Sequence, residues 1–139
     1  MLPIRETKSP RGKSARKEDL EFEIGFFEGV SRRDPDYIEA LQILGDAYTK
    51  AGQWEKGLKI DQRLARLCPD NPLVYYNLAC SYSLLKRVDE AFAALTEAVN
   101  RGYKDARWLN KDPDLANIRQ DHRFEKIRTG LTQKSNGSS

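Results

Sequence analysis

Apolar side chains recur at intervals of three and four residues along most of the chain, which is the spacing of one face of an α-helix. In the first segment the pattern is carried by Leu20, Ile24, Phe27 and Val30. Prolines and glycines divide it, because proline removes a helical hydrogen bond and glycine is typical of helix ends. The spacing predicts five helices, over residues 18–33, 36–51, 54–67, 72–85 and 88–100.

The pattern becomes less regular after Gly102. Trp108 and Leu109 lie on a short predicted helix, which Asp112-Pro113-Asp114 ends. A last helix is predicted over residues 121–131, where apolar residues recur with helical spacing. No segment alternates apolar and polar residues over a useful length, so we expect an all-α protein.

Two parts of the chain repeat each other at an offset of 34 residues. Pro35 and Pro69 stand in nearly the same setting, each followed by an aspartate. The same offset relates five further pairs: Leu44 and Leu78, Gly45 and Ala79, Tyr48 and Tyr82, Gly57 and Ala91, and Leu64 and Ala98. A fixed period of this length is typical of stacked helix hairpins.

These residues resemble the tetratricopeptide repeat (TPR) family. The sequence departs from the family pattern at Tyr103, where proline is expected, at Asp61, where a bulky apolar residue is usual, and at Leu41, where an aromatic residue is usual. The resemblance implies an all-α, right-handed α-α superhelix of antiparallel hairpins. Its repeats would be residues 38–71 and 72–105, with a capping helix at 18–33 and a C-terminal cap at 106–131. Small residues would allow the helices of each hairpin to cross closely. Since glycine lowers helix stability by about 1 kcal/mol relative to alanine, Gly45 and Gly57 predict that the first hairpin is the softer one.

The resemblance also implies a protein–protein interaction module, and hence a protein or peptide partner. Such a module would act as a scaffold or adaptor, or as a chaperone-like holder. The first helices of the repeats would line a concave groove, whose residues by family register are Gln42, Asp46, Thr49, Lys50, Tyr76, Asn77, Cys80, Ser83, Asn110 and Lys111. Asn77 is the sharpest candidate among them, because its amide can pair with an extended peptide backbone.

Residues 1–17 have no apolar period and carry six cations against Glu6 alone. We expect a disordered basic arm there and a disordered polar tail at 132–139. An alternative function follows, in which the arm tethers the helical domain to nucleic acid or another polyanion. The absence of interleaved aromatic residues makes nucleic acid the weaker choice. The cations are Arg5, Lys8, Arg11, Lys13, Arg16 and Lys17.

The first predicted helix has more apolar residues than one core-facing stripe requires, and Phe22 and Phe26 form a second flank. Apolar surface of this kind often marks an interface. Three coverings stay open at this point: Leu2 and Ile4 folding back, a homodimer, or a client protein.

Candidate chemistry is sparse. His122 is the only histidine, Cys68 and Cys80 are the only cysteines, and no phosphate loop, metal-ligand spacing or nucleophile–base pair accompanies them. We therefore expect no enzyme, no cofactor and no metal site. Sparse cysteines, no run of membrane-spanning length and no apolar N-terminal stretch favour a cytoplasmic protein with free thiols.

Overall fold

The computed structural model describes residues 16–137, with side chains through Thr132. This part of the chain consists of α-helices, turns and one 3-10 helix, and it contains no strand. The prediction of an all-α protein is confirmed. The chain divides into two compact units between Pro69 and Asp70.

The first unit contains α1 (Lys17–Arg33), α2 (Ile38–Lys50) and α3 (Trp54–Leu67). Its core cluster brings together one face of α1 and one face of α2. The buried members are Ile24, Leu44, Ala47 and Tyr48, and Leu20, Phe27 and Ile60 pack against them. The Tyr48 hydroxyl donates a hydrogen bond to Glu28 on α1. Burial, followed by that hydrogen bond, raises the pKa of Tyr48.

Helices α2 and α3 cross at two glycines. A Cβ atom on Gly45 would lie 3.1 Å from Ile60 Cγ2, and one on Gly57 would lie 3.2 Å from Thr49 Oγ1. Both distances are shorter than ordinary van der Waals contact, so a Cβ atom at either position requires the neighbouring side chain to shift. Asp61 is also buried in this hairpin.

The second unit contains α4 (Pro72–Leu84), α5 (Val88–Asn100), α6 (Ala106–Lys111), a 3-10 helix (Pro113–Leu115) and α7 (His122–Gly137). Pro72 occupies the first turn of α4, where a missing N–H costs nothing, and Asn71 caps that helix by accepting a hydrogen bond from the Leu73 N–H at 2.9 Å. Hairpin α4–α5 crosses at Ala79 and Ala91, both fully buried.

Both hairpin turns use the left-handed backbone region at the same repeat position. Gly52 follows α2 with φ of +77°, and Lys86, 34 residues later, follows α4 with φ of +61°. Glycine adopts this conformation without strain, whereas lysine carries a Cβ that opposes it. The second hairpin therefore holds a strained residue where the first has glycine.

The element bounds agree closely with prediction for α3 and α5 and differ at the two ends of the described chain. Lys17, predicted in the disordered arm, begins α1, because Glu18 and Asp19 in the first turn favour the helix N-terminus electrostatically. Where a disordered polar tail is expected from residue 132, α7 continues to Gly137 in the structure. No proline interrupts residues 131–137, and Thr132 Oγ1 donates to the Arg128 carbonyl at 3.1 Å. Residues 1–15 lie outside the described part.

Candidate functional site

The outward face of α4, which the family register assigns to the groove, is buried in this structure. Tyr76 is only 1% exposed. Its ring stacks on Tyr103, with centroids 4.4 Å apart and an interplanar angle of 12°. Its hydroxyl donates a hydrogen bond to Asp112 Oδ2 at 2.7 Å. Burial above all raises the pKa of Tyr76, so the phenol stays protonated and remains a donor.

The residues that cover this face are residues 112–119, here named the closing segment. Cys80 is fully buried, with its thiol 3.7 Å from Asp112 Oδ2. Ser83 is also fully buried, and its carbonyl accepts a hydrogen bond from Asn117 Nδ2 at 2.8 Å. The closing segment thus contacts α4 at three successive turns of the helix.

The closing segment is itself tightly held. Asp112 caps the 3-10 helix by accepting from the Asp114 N–H at 3.0 Å. Arg119 Nη2 donates to the Asp112 carbonyl at 2.6 Å and to the Leu109 carbonyl at 3.3 Å. Apolar anchoring comes from Leu115 and Ile118, both completely buried. Hydrogen bonds and apolar burial together make the segment part of the core of the second unit.

Cys80, Asp112 and Asp114 bring three potential ligand atoms within 4.8 Å of one another. Both carboxylate oxygens of Asp112 already accept hydrogen bonds, one from Asp114 and one from Tyr76. Asp112 lies here because it is the hydrogen-bond acceptor that joins α4 to the closing segment. We assign it that structural role.

The corresponding face of α2 is more accessible. Gln42 is half-buried, and its amide nitrogen is itself buried and has no acceptor in the described part of the chain. One turn along, Lys50 Nζ lies 3.5 Å from Asp46 Oδ2, with the Lys50 side chain 28% exposed and the Asp46 side chain 12% exposed. Thr49 is the exception on this helix, because it is buried and donates to the Gly45 carbonyl at 3.0 Å.

The structure therefore corrects four of the groove residues expected from the sequence. Tyr76, Cys80, Ser83 and Thr49 are buried by their own chain, and a partner cannot contact their side chains without displacing other residues. The other six are half-buried or exposed: Gln42, Asp46, Lys50, Asn77, Asn110 and Lys111.

The second apolar flank of α1 lies on the surface. Phe22 is 76% exposed and Phe26 is 54% exposed. Their rings lie 6.4 Å apart and nearly parallel. Exposure of two neighbouring phenylalanine rings agrees with the self-association expected from the sequence, which stays a prediction.

The basic arm is described only at its end. Arg16 immediately precedes α1, and its Nε atom lies 3.9 Å from Asp19 Oδ2. Lys17 is the first residue of the helix. The other four cations of the arm, Arg5, Lys8, Arg11 and Lys13, lie outside the described residues. Tethering to a polyanion stays a prediction.

Comparison with known proteins settles the nature of the two hairpins. A tetratricopeptide repeat model matches residues 38–79, and a second one matches residues 73–105. The chain is a tetratricopeptide-repeat protein. TPR repeats form protein–protein interaction modules, and members of the family are generally non-catalytic.

The TPR chain is also similar to a curated chloroplastic protein of the plant Arabidopsis thaliana. The two are 31% identical over 103 residues, which is 72% of this chain and 29% of that protein. The aligned length exceeds that of the two matched repeats together, so the likeness extends into their flanking segments. The chain spans less than a third of this relative.

Sequence reasoning about this TPR protein missed the closing segment as a covering of α4, although a signal was present. The apolar residues of α4 lie on all sides of the helix. They include Val74, Tyr76, Leu78 and Cys80. A helix that is apolar all round is buried all round. Leu115 and Ile118 equally needed an apolar surface to cover.

No helix in the described part of this TPR chain is both long and apolar enough to cross a membrane.

Proposed function

We propose that this TPR protein binds an extended peptide segment of a protein partner along the outward face of α2. The observation that carries the proposal is the difference between two equivalent faces. On α4 that face is occupied by the closing segment, whereas on α2 it presents Gln42, Asp46 and Lys50. The partner-binding role then falls to the first unit.

The chemistry of the α2 face suits a peptide backbone. Gln42 has an amide N–H without an acceptor in the described residues, and a peptide carbonyl supplies one once the side chain turns outward. Asp46 and Lys50 offer an acceptor and a donor one helical turn apart. Lys50 is the more exposed member of this ion pair, so its ammonium group is the one that a peptide meets first.

Binding of this kind is the action of a scaffold or adaptor, which holds one polypeptide near another. The half-buried Asn77 and the exposed Asn110 and Lys111 are further candidates for contact within the second unit. A chaperone-like holding role is a finer prediction, and it requires that the bound peptide be released unfolded.

Selection of random peptides displayed on phage tests the proposal, with the full-length chain as bait. We expect peptides that Lys50→Glu binds about tenfold more weakly, since the face loses a donor and gains a repulsive charge. Lys59→Glu is the matched control, because it makes the same change at an exposed position of α3. Peptides that bind wild type and Lys50→Glu equally would contradict the assignment to α2, as would selection of no peptide.

The cytoplasmic location expected from the sequence stays a prediction, and the relative is described as chloroplastic. A fluorescent protein fused to the C-terminus, expressed in plant cells, distinguishes the two compartments. Fluorescence confined to chloroplasts would show that the cytoplasmic prediction is wrong.

A further inference from the structure

Helix α1 has a second face that the fold does not use. Leu20, Ile24 and Phe27 point toward α2. On the opposite side of the helix, at spacings of three and four residues, lie Phe22, Gly25, Phe26 and Gly29. The two rings of this outward stripe are exposed, as described above.

The two glycines of the outward stripe are not required by packing within the described chain. A Cβ atom on Gly25 would meet nothing within 4 Å, and one on Gly29 would meet only the Arg32 guanidinium, at 3.9 Å. Glycine is among the poorest helix formers, so its presence at two mid-helix positions calls for another reason. Close approach of a second helix is such a reason, because glycine lets backbones come near one another.

We propose that the outward stripe of α1 is a self-complementary surface that pairs with α1 of a second copy of this chain, with the two helices antiparallel. A two-fold axis midway between residues 25 and 26 places Phe22 opposite Gly29 of the second copy. The same axis places Phe26 opposite Gly25 of the second copy. Each ring then enters a notch left by a glycine. Both pairings are reciprocal, as an isologous contact requires.

Charge favours the same arrangement. The first half of α1 carries Glu18, Asp19, Glu21 and Glu23, and its last turn carries Arg32 and Arg33. The two-fold axis brings the exposed Glu18 opposite the exposed Arg33 of the second copy, and the reverse. A parallel pair would instead set the acidic halves against each other, which is unfavourable. The antiparallel register therefore satisfies the apolar and the charged positions together.

The contact is a modest one. One face of a 17-residue helix is smaller than the roughly 800 Å² that each partner buries in a standard interface. We expect a reversible dimer whose population rises with protein concentration, and whose affinity falls with salt because the charged pairs are exposed.

Sedimentation velocity of the full-length chain over a concentration series tests the proposal. Wild type is expected to shift from a 15.9 kDa monomer to a species of twice that mass. Phe22→Ser removes two rings from the dimer and should raise its dissociation constant at least about 100-fold, or abolish dimerisation. Since Phe22 is exposed, far-ultraviolet circular dichroism should show unchanged helix content. Trp54→Ser, at another exposed aromatic residue, is the control that leaves the dimer intact.

Charge exchange tests the register. Glu18→Arg and Arg33→Glu should each weaken self-association about tenfold, because each sets like charges opposite one another twice. An equimolar mixture of the two variants should regain wild-type affinity. In the heterodimer, each of the two charged pairs again joins one arginine and one glutamate. Glu55→Arg and Arg66→Glu, both exposed on α3, are the matched controls and should change nothing.

Several results would overturn the proposal. A chain that stays monomeric at every concentration has its stripe covered by residues 1–15 or reserved for another protein. A dimer unaffected by Phe22→Ser uses a different surface. A mixture that associates no better than either charge variant alone excludes the antiparallel register. Lys50→Glu should leave the dimer unchanged, so this proposal and the one for α2 succeed or fail separately.

Discussion

Hairpin α2–α3 crosses at Gly45 and Gly57 and buries Asp61, whereas hairpin α4–α5 has Ala79, Ala91 and Leu95 at the same repeat positions. The first hairpin thus combines poor helix formers with a buried carboxyl group, and the second has an apolar crossing. The outward faces of α2 and α4, the first helix of each hairpin, also differ, because the closing segment covers α4. The same repeat pattern therefore leaves the outward face of α2 partly accessible, whereas most of the outward face of α4 is buried.

Repeat register therefore assigns a side chain to a face of its helix but does not determine what that face contacts. Tyr48 and Tyr82 occupy equivalent places, yet Tyr48 is buried with its hydroxyl on Glu28, and Tyr82 is half-buried beneath the Arg87 guanidinium. Stability and binding are expected to divide in the same way. The second unit should resist perturbation through its core, and the first should interact with other chains.

The largest expected effect comes from giving the second hairpin the buried acid of the first. Leu95 is fully buried, and Leu95→Asp places a carboxyl group in an apolar crossing. We expect the free energy of unfolding, measured with urea, to fall by about 4 kcal/mol. Ala93→Asp is the control, because Ala93 is exposed on the same helix and its replacement should cost no more than about 1 kcal/mol, through helix propensity. Since α5 already carries Asp89, Glu90 and Glu97 at exposed positions, equal losses in the two variants would show that burial of the carboxyl group at position 95 is not the cause.

The next effect concerns the joint between α4 and the closing segment. Asp112→Ala removes the acceptor of the Tyr76 hydroxyl and the cap of the 3-10 helix. Loss of this buried hydrogen bond costs about 1–3 kcal/mol and a lost cap about 1 kcal/mol, so we expect a loss of about 2–4 kcal/mol by urea unfolding.

Tyr76→Phe serves as the reference for that variant. It should cost less than Asp112→Ala, and combining the two should cost less than the sum of the single losses, because both remove one hydrogen bond. Strict additivity in this double-mutant cycle would show that Tyr76 and Asp112 do not interact.

A smaller and opposite effect is expected at the hairpin turns. Lys86→Gly relieves a lysine in the left-handed backbone region and should raise the free energy of unfolding by about 0.5–1 kcal/mol. At the equivalent position of the first hairpin, Gly52→Ala should lower the free energy of unfolding by about 1 kcal/mol or more, because alanine opposes the positive φ there. Thermal unfolding by circular dichroism measures both, and a destabilised Lys86→Gly protein would refute the strain at this turn.

The smallest effect is a pH dependence at the start of α7. Hydrogen bonds from the Arg123 side chain, and then its backbone N–H, lower the pKa of Asp121 from 3.8 to about 2. A depressed carboxyl pKa contributes stability that is present above pH 3.8 and is lost as the pH falls toward 2. The melting temperature of wild type should therefore exceed that of Asp121→Asn at about pH 5–7.

That difference should shrink as the pH falls from about 4 to 2, where Asp121 becomes protonated. Because the group is near the surface, added salt should reduce the difference as well. A gap between the two melting temperatures that stays constant down to about pH 2 would contradict the ion pair.

Much of the fold was predictable because it depends on local pattern. Apolar spacing and the 34-residue offset locate both hairpins, and the approximate bounds predicted for α3 and α5 agree with Trp54–Leu67 and Val88–Asn100 in the structure. Proline and glycine mark helix ends through backbone geometry alone, which requires no knowledge of tertiary contacts. The exposed second flank of α1 was predictable for the same reason.

The candidate site was less predictable, because it depends on which residues distant in sequence come together. Tyr76 was expected in a groove, and its burial follows from Tyr103 and Asp112, which lie 27 and 36 residues later. Tyr103 stands where the repeat pattern has proline, and the departure supplies the ring that stacks on Tyr76. A departure from a repeat pattern can therefore mark a new packing partner.

Alkylation of the two thiols in the folded full-length chain tests whether the closing segment covers α4. Iodoacetamide modification at Cys68 and Cys80 can be followed separately by peptide mass spectrometry. Cys68 is half-buried and Cys80 lies beneath the closing segment. We predict that Cys68 reacts under native conditions, whereas Cys80 reacts only when urea unfolds the chain. Modification of Cys80 as fast as Cys68 in the folded protein would contradict the account, because the outward face of α4 would then be open.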